Sequence, residues 1–325
     1  MIYSGKPILI LLVILMLAAS PVFAKDISIN FDELQKATEN FANDMSKALP
    51  FYSTIGLNWS DAYIGSFPHF GVGLSTGLIT IDNKSINKMM NSFGFPIIKD
   101  LPLIDNSHFP LPADSLEARI GIPVIPVDFG IKFGLLPQKW LKSFLDIEIR
   151  NMLFGFDVRY VIINSKIFPM RLSVGLGYNQ LSGGISYSKE NLQFIDNAND
   201  INITGGKDSK VDIMWGTKCI ELKMQASFPY KIVTPYAGAG LSYAWSEAGF
   251  EVSGLSIGDA DEQKLKKYGT ASKDDFKLII NKKDFNTRVF GGISINLAYV
   301  RLDLTGMYEF SGHNYGATIG LRFQM

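Results

Sequence analysis

The sequence predicts an all-β fold: an antiparallel transmembrane β-barrel of about ten strands, with about eight to fourteen compatible, preceded by an N-terminal amphipathic helix. Three observations lead there. The chain opens on an export signal, it alternates apolar and polar residues from residue 69 to its end, and its glycines sit on the polar side of that alternation. The resulting division is 1–24 cleaved signal peptide, 25–68 helix and lead-in segment, and 69–325 barrel.

Lys6 supplies a positive start, and Pro7 to Ala19 is almost wholly apolar. Ser20-Pro21 breaks the run, and Val22-Phe23-Ala24 places small residues where a signal peptidase needs them. The apolar stretch is too short for a comfortable membrane span, which argues against an uncleaved anchor. Residue 25 is Lys, so lipidation there is not expected. Loss of Lys6 leaves 30 basic against 31 acidic residues, a net charge of −1. No later run reaches the roughly 18 apolar residues of a membrane helix.

Asn30-Phe31-Asp32-Glu33 reads as a capping box. Phe31, Leu34, Phe41, Met45, Ala48 and Leu49 follow at helical spacing until Pro50 ends the pattern. Such an apolar stripe must lie on something: the barrel's mouth, its lumen, or a partner. Residues 51–65 leave two readings open, two further strands making twelve or an N-terminal passage through the lumen.

Beyond residue 69 the period is 2. Phe70, Val72, Leu74 and Leu78 share one face while His69, Gly71, Gly73, Ser75 and Gly77 share the other; Leu172, Val174, Leu176 and Tyr178 oppose Arg171, Ser173, Gly175 and Gly177. A soluble sandwich also alternates, but glycine weakens its strands, whereas a narrow lumen needs small residues beside charged ones. Strands are expected at 69–80, 113–122, 125–134, 144–163, 169–188, 211–229, 231–247, 286–297, 300–311 and 314–325. With the C-terminus in the periplasm, inner joints are short, as at Pro123-Val124, Pro229-Tyr230 and Ala298-Tyr299. The outer joints 81–112, 135–143, 189–210 and 248–285 are long, with 312–313 the exception. A parity slip between Ile149 and Phe154 predicts a bulge. Tyr243, Trp245, Tyr308 and Phe310 fall at outer strand ends, and Phe228, Tyr230, Tyr299 and Phe323 at inner ends, as aromatic girdles do.

Composition narrows the chemistry. The 31 Lys and Arg balance 31 Asp and Glu, which gives no footprint for nucleic acid. One cysteine builds no disulfide framework, and His69, His108 and His313 have no metal-ligand spacing, so no metal or cofactor is expected. His313, Asp303, Glu309 and Ser311 gather near one end but form too weak a constellation for a catalytic triad, and the chain is not expected to be an enzyme. Cys219 faces the lumen by parity and reads as a small filler. Parity also directs Lys132, Arg150, Arg159, Arg171, Lys223, Arg301 and Arg322 into the lumen, with Asp128, Asp146, Glu148, Asp157, Glu221, Asp303 and Glu309. Equal numbers favour mutual pairing, and ten strands lie nearer a filled lumen than an open channel.

Two stretches resemble bacterial outer-membrane β-barrel proteins of the small-barrel type. Thr234-Pro-Tyr-Ala-Gly-Ala-Gly-Leu-Ser-Tyr243 is similar to a strand common in that class. Thr318-Ile-Gly-Leu-Arg-Phe-Gln-Met325 resembles the C-terminal assembly signal, with Gly320, Phe323 and Met325 at the matching positions and Met325 where a terminal Phe is usual. The Pro-Leu-Pro-Ala stretch at 110–113 adds a likeness to spirochaete outer-membrane proteins. The resemblance implies a bacterial outer-membrane location, with membrane lipid and the barrel-assembly machinery as partners. Two functions stay open: porin-like or gated transport of small solutes, or a surface interaction protein with a sealed lumen. The second would use loops 81–112, 189–210 and 248–285 on extracellular host components.

Overall fold

The computed structural model describes residues 27–28, 30–62, 69–82, 88–89, 92–93, 108–135, 147–164, 169–188 and 192–325. The signal segment 1–24, Asp146 and most of 81–112 lie outside them. The chain begins with β1 (Ile27–Ser28), α1 (Phe31–Ser53), β2 (Phe70–Asp82), β3 (His108–Gly121), β4 (Val127–Leu135), β5 (Ile147–Asn164), β6 (Arg171–Ser188) and β7 (Gln193–Asp196). It continues through β8 (Ile201–Ser227), β9 (Val233–Ser256), α2 (Asp259–Leu265), β10 (Thr270–Ala271), β11 (Asp275–Leu297), β12 (Val300–Glu309) and β13 (Tyr315–Gln324).

Strands β2, β3, β4, β5, β6, β8, β9, β11, β12 and β13 pair antiparallel in that order. β13 returns to β2 through Leu321↔Leu74 and Phe323↔Val72, so ten strands close with no free edge. The outer face is apolar: Leu74, Leu116, Leu176, Leu222, Leu304 and Leu321 are 52–62% exposed. Only an apolar medium makes that belt favourable, and closure leaves no unpaired backbone facing it. The protein is an outer-membrane β-barrel. Met325 N donates to Phe70 O at 3.0 Å at the end that carries the tight 228–232 and 298–299 turns, the periplasmic end.

The wall is taller than expected on one side. β8, β9 and β11 hold 27, 24 and 23 residues, against about ten for a crossing. Much of the expected loops 189–210 and 248–285 is therefore strand, supplemented by α2, β7 and β10. Ile213, Phe250, Val252, Phe276 and Leu278 continue the inward apolar face above the membrane and bury it against Leu192, Phe194, Ile201 and Ile203. The result is an outer head whose apolar core is continuous with that of the upper lumen, bounded by β1 paired to β7 on one side and β10 on the other.

The bulge also differs from expectation. β5 pairs β6 regularly from Ile147 to Val161 and shifts only between Val161 and Ile163. With no slip near residue 150, Glu148 and Arg150 lie on the outward parity, not in the lumen, and Arg150 reaches Asp212 at 3.0 Å on the outside of the wall.

Helix α1 starts in the head. Asn30 Oδ1 accepts from Asp32 N and Glu33 N at 3.0 and 3.1 Å, and Phe31 packs its ring on Tyr268 and Phe276 with centroids 5.7 and 5.6 Å away. Leu34, Phe41, Met45 and Leu49 are buried at the expected spacing. Pro50 does not end the helix, which runs on to Ser53 because Phe51 and Tyr52 remain buried and the Thr54 N–H closes the last turn.

Two outcomes follow from these contacts. A Cβ on Gly71 would sit 2.7 Å from the buried Trp59 ring; Gly71→Ala should cost about 1–3 kcal/mol, read by urea unfolding of the compact unboiled gel band. In the head, Asp196 accepts from Phe31 N, Ala198 N, Asn199 N and Asn199 Nδ2 at 2.8–3.2 Å. Burial pushes its carboxyl up, but those donors outweigh it and hold it below the usual carboxylate range. The stability it contributes is present above the unfolded-state pKa and is lost as pH falls through the lower native value. Hydrogen exchange at the start of α1 should accelerate below about pH 4, and Asp196→Asn should remove that dependence.

Candidate functional site

The lumen is filled by the chain's own N-terminal segment. α1 descends from the head, and residues 54–62 continue through the lower lumen, every one of them buried. Of the two readings of 51–65, the described residues 51–62 take the passage through the lumen. At the bottom, Ala62 N donates to Ser227 Oγ at 3.1 Å, beside the periplasmic turn.

A non-helical backbone inside a barrel has no ladder of its own, so its polar groups must find side chains. The wall provides them. Lys132 Nζ donates to Ser53 O and Ile55 O at 2.7 and 2.5 Å. Lys223 Nζ reaches Leu57 O at 3.2 Å, Gln225 Nε2 reaches Trp59 O at 2.5 Å, and Arg159 Nη1 reaches Asp61 O at 2.8 Å. Glu117 Oε2 accepts from Leu57 N at 2.7 Å and from Trp59 Nε1 at 2.5 Å. Side chains of the segment are held too: Arg288 Nη2 donates to Asn58 Oδ1 at 3.1 Å and Arg322 Nη2 to Ser60 Oγ at 2.5 Å. Asp61 takes Arg301, Arg322 and Arg171 at 2.7, 3.3 and 3.5 Å.

Behind these contacts the wall charges orient one another. Arg119 bridges Asp128 and Asp157, the latter at 2.7 Å; Asp128 also takes Arg159 at 2.7 Å and Asp157 takes Lys223 at 3.0 Å. Arg288 pairs Glu221 and Arg322 pairs Asp303, both at 2.6 Å. The Trp59 ring lies against the Arg322 and Arg119 guanidinium groups, 4.8 and 5.8 Å from its centroid. A cavity of about 20 Å³ beside Asn58, Trp59, Glu117, Asp303 and Arg322 has room for about one water. This cavity is too small for a solute path.

The structure thus gathers Asp128, Lys132, Asp157, Arg159, Arg171, Glu221, Lys223, Arg301, Asp303 and Arg322 around one segment. Glu309 is buried but stands apart, closing the outer turn by accepting from Ser311 N, Gly312 N and Asn314 Nδ2 at 2.5–2.9 Å. His313 Nδ1 is 2.8 Å from Tyr308 Oη, while Asp303 is engaged with Arg322, so His313, Asp303, Glu309 and Ser311 form no relay. Cys219 Sγ lies 3.3 Å from Ser53 Oγ. Among the described residues no group of three or more His, Cys, Asp or Glu could hold a metal.

Sequence reading missed Glu117, Arg119, Arg288 and Asp61. Glu117 and Arg119 share parity with Ala113, Ser115 and Gly121 opposite Leu116 and Ile120, a signal that was present. Arg288 shares its face with Phe290, which disguised it. Asp61 lies in a stretch with no period.

The Arg288–Glu221 pair is nearly sealed from solvent, so removing one partner strands a buried charge. Glu221→Leu or Arg288→Met alone should cost about 3–5 kcal/mol, and the double variant less than either single change, measured by urea unfolding of the refolded barrel.

Comparison with solved structures returns distant likenesses. The outer-membrane protease OmpT of Escherichia coli aligns with 11% identity over 79% of this chain and 97% of its own, with a TM-score of 0.43. The translocator domain of the autotransporter NalP of Neisseria meningitidis gives 7% identity, 89% and 97% coverage and a TM-score of 0.39. The toluene transporter TbuX of Ralstonia pickettii gives 10%, 80%, 90% and 0.30. At these TM-scores the likenesses have no bearing on activity. No curated protein matches the sequence. The Lsa36-like family does, from residue 27 through the plug and the whole barrel to residue 325, and the chain belongs to that family.

Proposed function

We propose that this protein works at the bacterial cell surface, presenting its outer head to extracellular components while its lumen stays closed. The observation that supports this reading is the hydrogen-bonded hold of the wall on Ser53 to Asp61. A pore would have to surrender those contacts together, because Arg322, Lys223 and Arg159 each serve both the segment and a wall carboxylate. The head, in contrast, offers charged relief to the exterior: Lys264 at 3.2 Å from Asp200, Lys273 at 3.5 Å from Asp259 and Lys266 at 2.6 Å from Glu262 are all exposed pairs. Pairs of that kind contribute little to stability and are free to exchange partners. Host extracellular components are the partner class this reading takes. The same proposal has Gly320, Phe323 and Met325 recognised by the barrel-assembly machinery; in the finished barrel Gly320 and Phe323 lie on the strand that closes it.

Gated transport of small solutes rests on the same segment acting as a gate, and conductance separates the two. In planar bilayers the intact chain should be silent, and a chain lacking residues 25–62 should conduct. Ser53→Cys, oxidised onto Cys219 across the present 3.3 Å contact, should lock the segment and leave the intact record unchanged. Openings of the intact chain that are abolished in the oxidised Ser53→Cys variant would instead establish gating. For the surface reading, the refolded barrel should bind an immobilised extracellular-matrix extract, and replacing 258–273 by a short Gly-Ser turn should abolish binding while the compact gel band persists.

A further inference from the structure

Three groups of cations stand out among the described residues, and one of them has no ion-pair partner there. In the lumen they meet carboxylates and carbonyls. On the outside of the head they are paired: Arg150 and Lys210 with Asp212 at 3.0 and 3.3 Å, Lys277 with Glu251 at 3.0 Å. Between the head and the lipid belt stands a third set. β8, β9 and β11 are neighbours, and their register aligns Lys218 with Trp245 and Trp245 with Lys283. All three point outward; both lysines are exposed and Trp245 is 40% exposed. Gln180 of β6 extends the row beside Lys218. Among the described residues neither lysine has an ion-pair partner, and the nearest outward carboxylate along β9, Glu247, leans toward Gly216.

The height of this row is fixed by what lies beneath it. One pair lower, Ile220, Tyr243 and Phe285 stand in line. The Tyr243 ring contacts Trp245 and Phe285 with centroids 4.8 and 4.7 Å apart, and Leu222 and Leu241 of the exposed apolar belt follow. Aromatic rings mark the boundary of the hydrocarbon, so the row above them is level with lipid headgroups. Lysines on strands two apart stand about 10 Å from each other at the backbone, and their flexible stems converge over the intervening indole.

The geometry points to a binding site for an anionic phosphate of an outer-leaflet lipid headgroup. Lys218 and Lys283 supply the ammonium groups, Gln180 an amide, and Trp245 the ring against which the glycerol or sugar portion lies. It would fix the barrel's height and give the tall β8–β9–β11 side a preferred lipid neighbour.

The test uses the full mature chain refolded in neutral detergent, titrated with phosphatidylglycerol and followed by native mass spectrometry. One lipid should be retained in preference to phosphatidylcholine. Lys218→Gln/Lys283→Gln should weaken it about 30-fold, from two charges at a lipid surface, and each single change about fivefold. Lys266→Gln/Lys273→Gln, in the head, should leave it unchanged. These exposed residues make no core contact, and the unboiled gel band verifies folding of each variant; if the double variant yields none, the single variants decide. Equal retention by the Lys218 and Lys283 variants, or equal loss in the head control, would overturn the proposal. So would displacement of the lipid by millimolar inorganic phosphate, which would mark a free-anion site.

Discussion

An extended peptide inside a closed barrel sets the constraint on which the rest of this structure depends. Its carbonyls and amides cannot pair with the wall's backbone, which is already used in the strand ladder, and the lumen leaves no room for enough water to serve them. Side chains must reach inward from the wall, and a carbonyl needs a donor. The long donors are lysine and arginine. That requirement explains why, among the described residues around the lower segment, cations outnumber wall carboxylates: Arg119, Lys132, Arg159, Arg171, Lys223, Arg288, Arg301 and Arg322 face Glu117, Asp128, Asp157, Glu221 and Asp303. Part of the difference is taken by carbonyl oxygens, as at Lys132, and part by Asp61, which the segment itself brings. Wall and plug are electrostatically incomplete without each other.

The same constraint explains the glycines. A lumen that must hold a tryptophan, a helix and several long cations cannot also carry a Cβ at every inward position. Gly71 leaves the space that Trp59 occupies, and a Cβ on Gly130 would stand 2.6 and 2.8 Å from the Asp157 and Arg119 groups it lies between. Strand propensity is given up at these sites to let side chains from elsewhere cross the axis.

Most of the barrel was legible because lipid and lumen impose opposite chemistry on alternate residues, so parity carries the fold. Ten strands and the short periplasmic turns followed from that signal. It failed where its physical cause is absent. Above the membrane the outward face meets water, so Ser253, Glu251 and Lys277 read as loop although their inward neighbours Val252, Phe250 and Phe276 are core. In β5 the polar Glu148 and Arg150 read as lumen residues because polarity alone cannot separate lumen from exterior once the lipid belt is passed. The helix was legible from its own stripe. The segment after it was not, since its partners come from β3, β4, β5, β6, β8, β11, β12 and β13, and the contacts that Glu117, Lys132, Arg159 and Lys223 make to Leu57, Ser53 and Asp61 use backbone groups that every residue has.

Wall, plug and head share one consequence of that arrangement. The helix that fills the upper lumen is also the first element of the head core, through Phe31 on Phe276 and Tyr268, and two of the strands that carry the head also hold the plug lower down, through Lys223 on β8 and Arg288 on β11. A displacement of the segment in the lumen therefore has to be absorbed by the head, and a rearranged head pulls on the segment. For a transporter such coupling is a burden at every cycle; for a protein that presents a fixed surface it is what keeps the surface fixed. The buried charges of the lower lumen are thereby linked to the head through the helix and through β8 and β11.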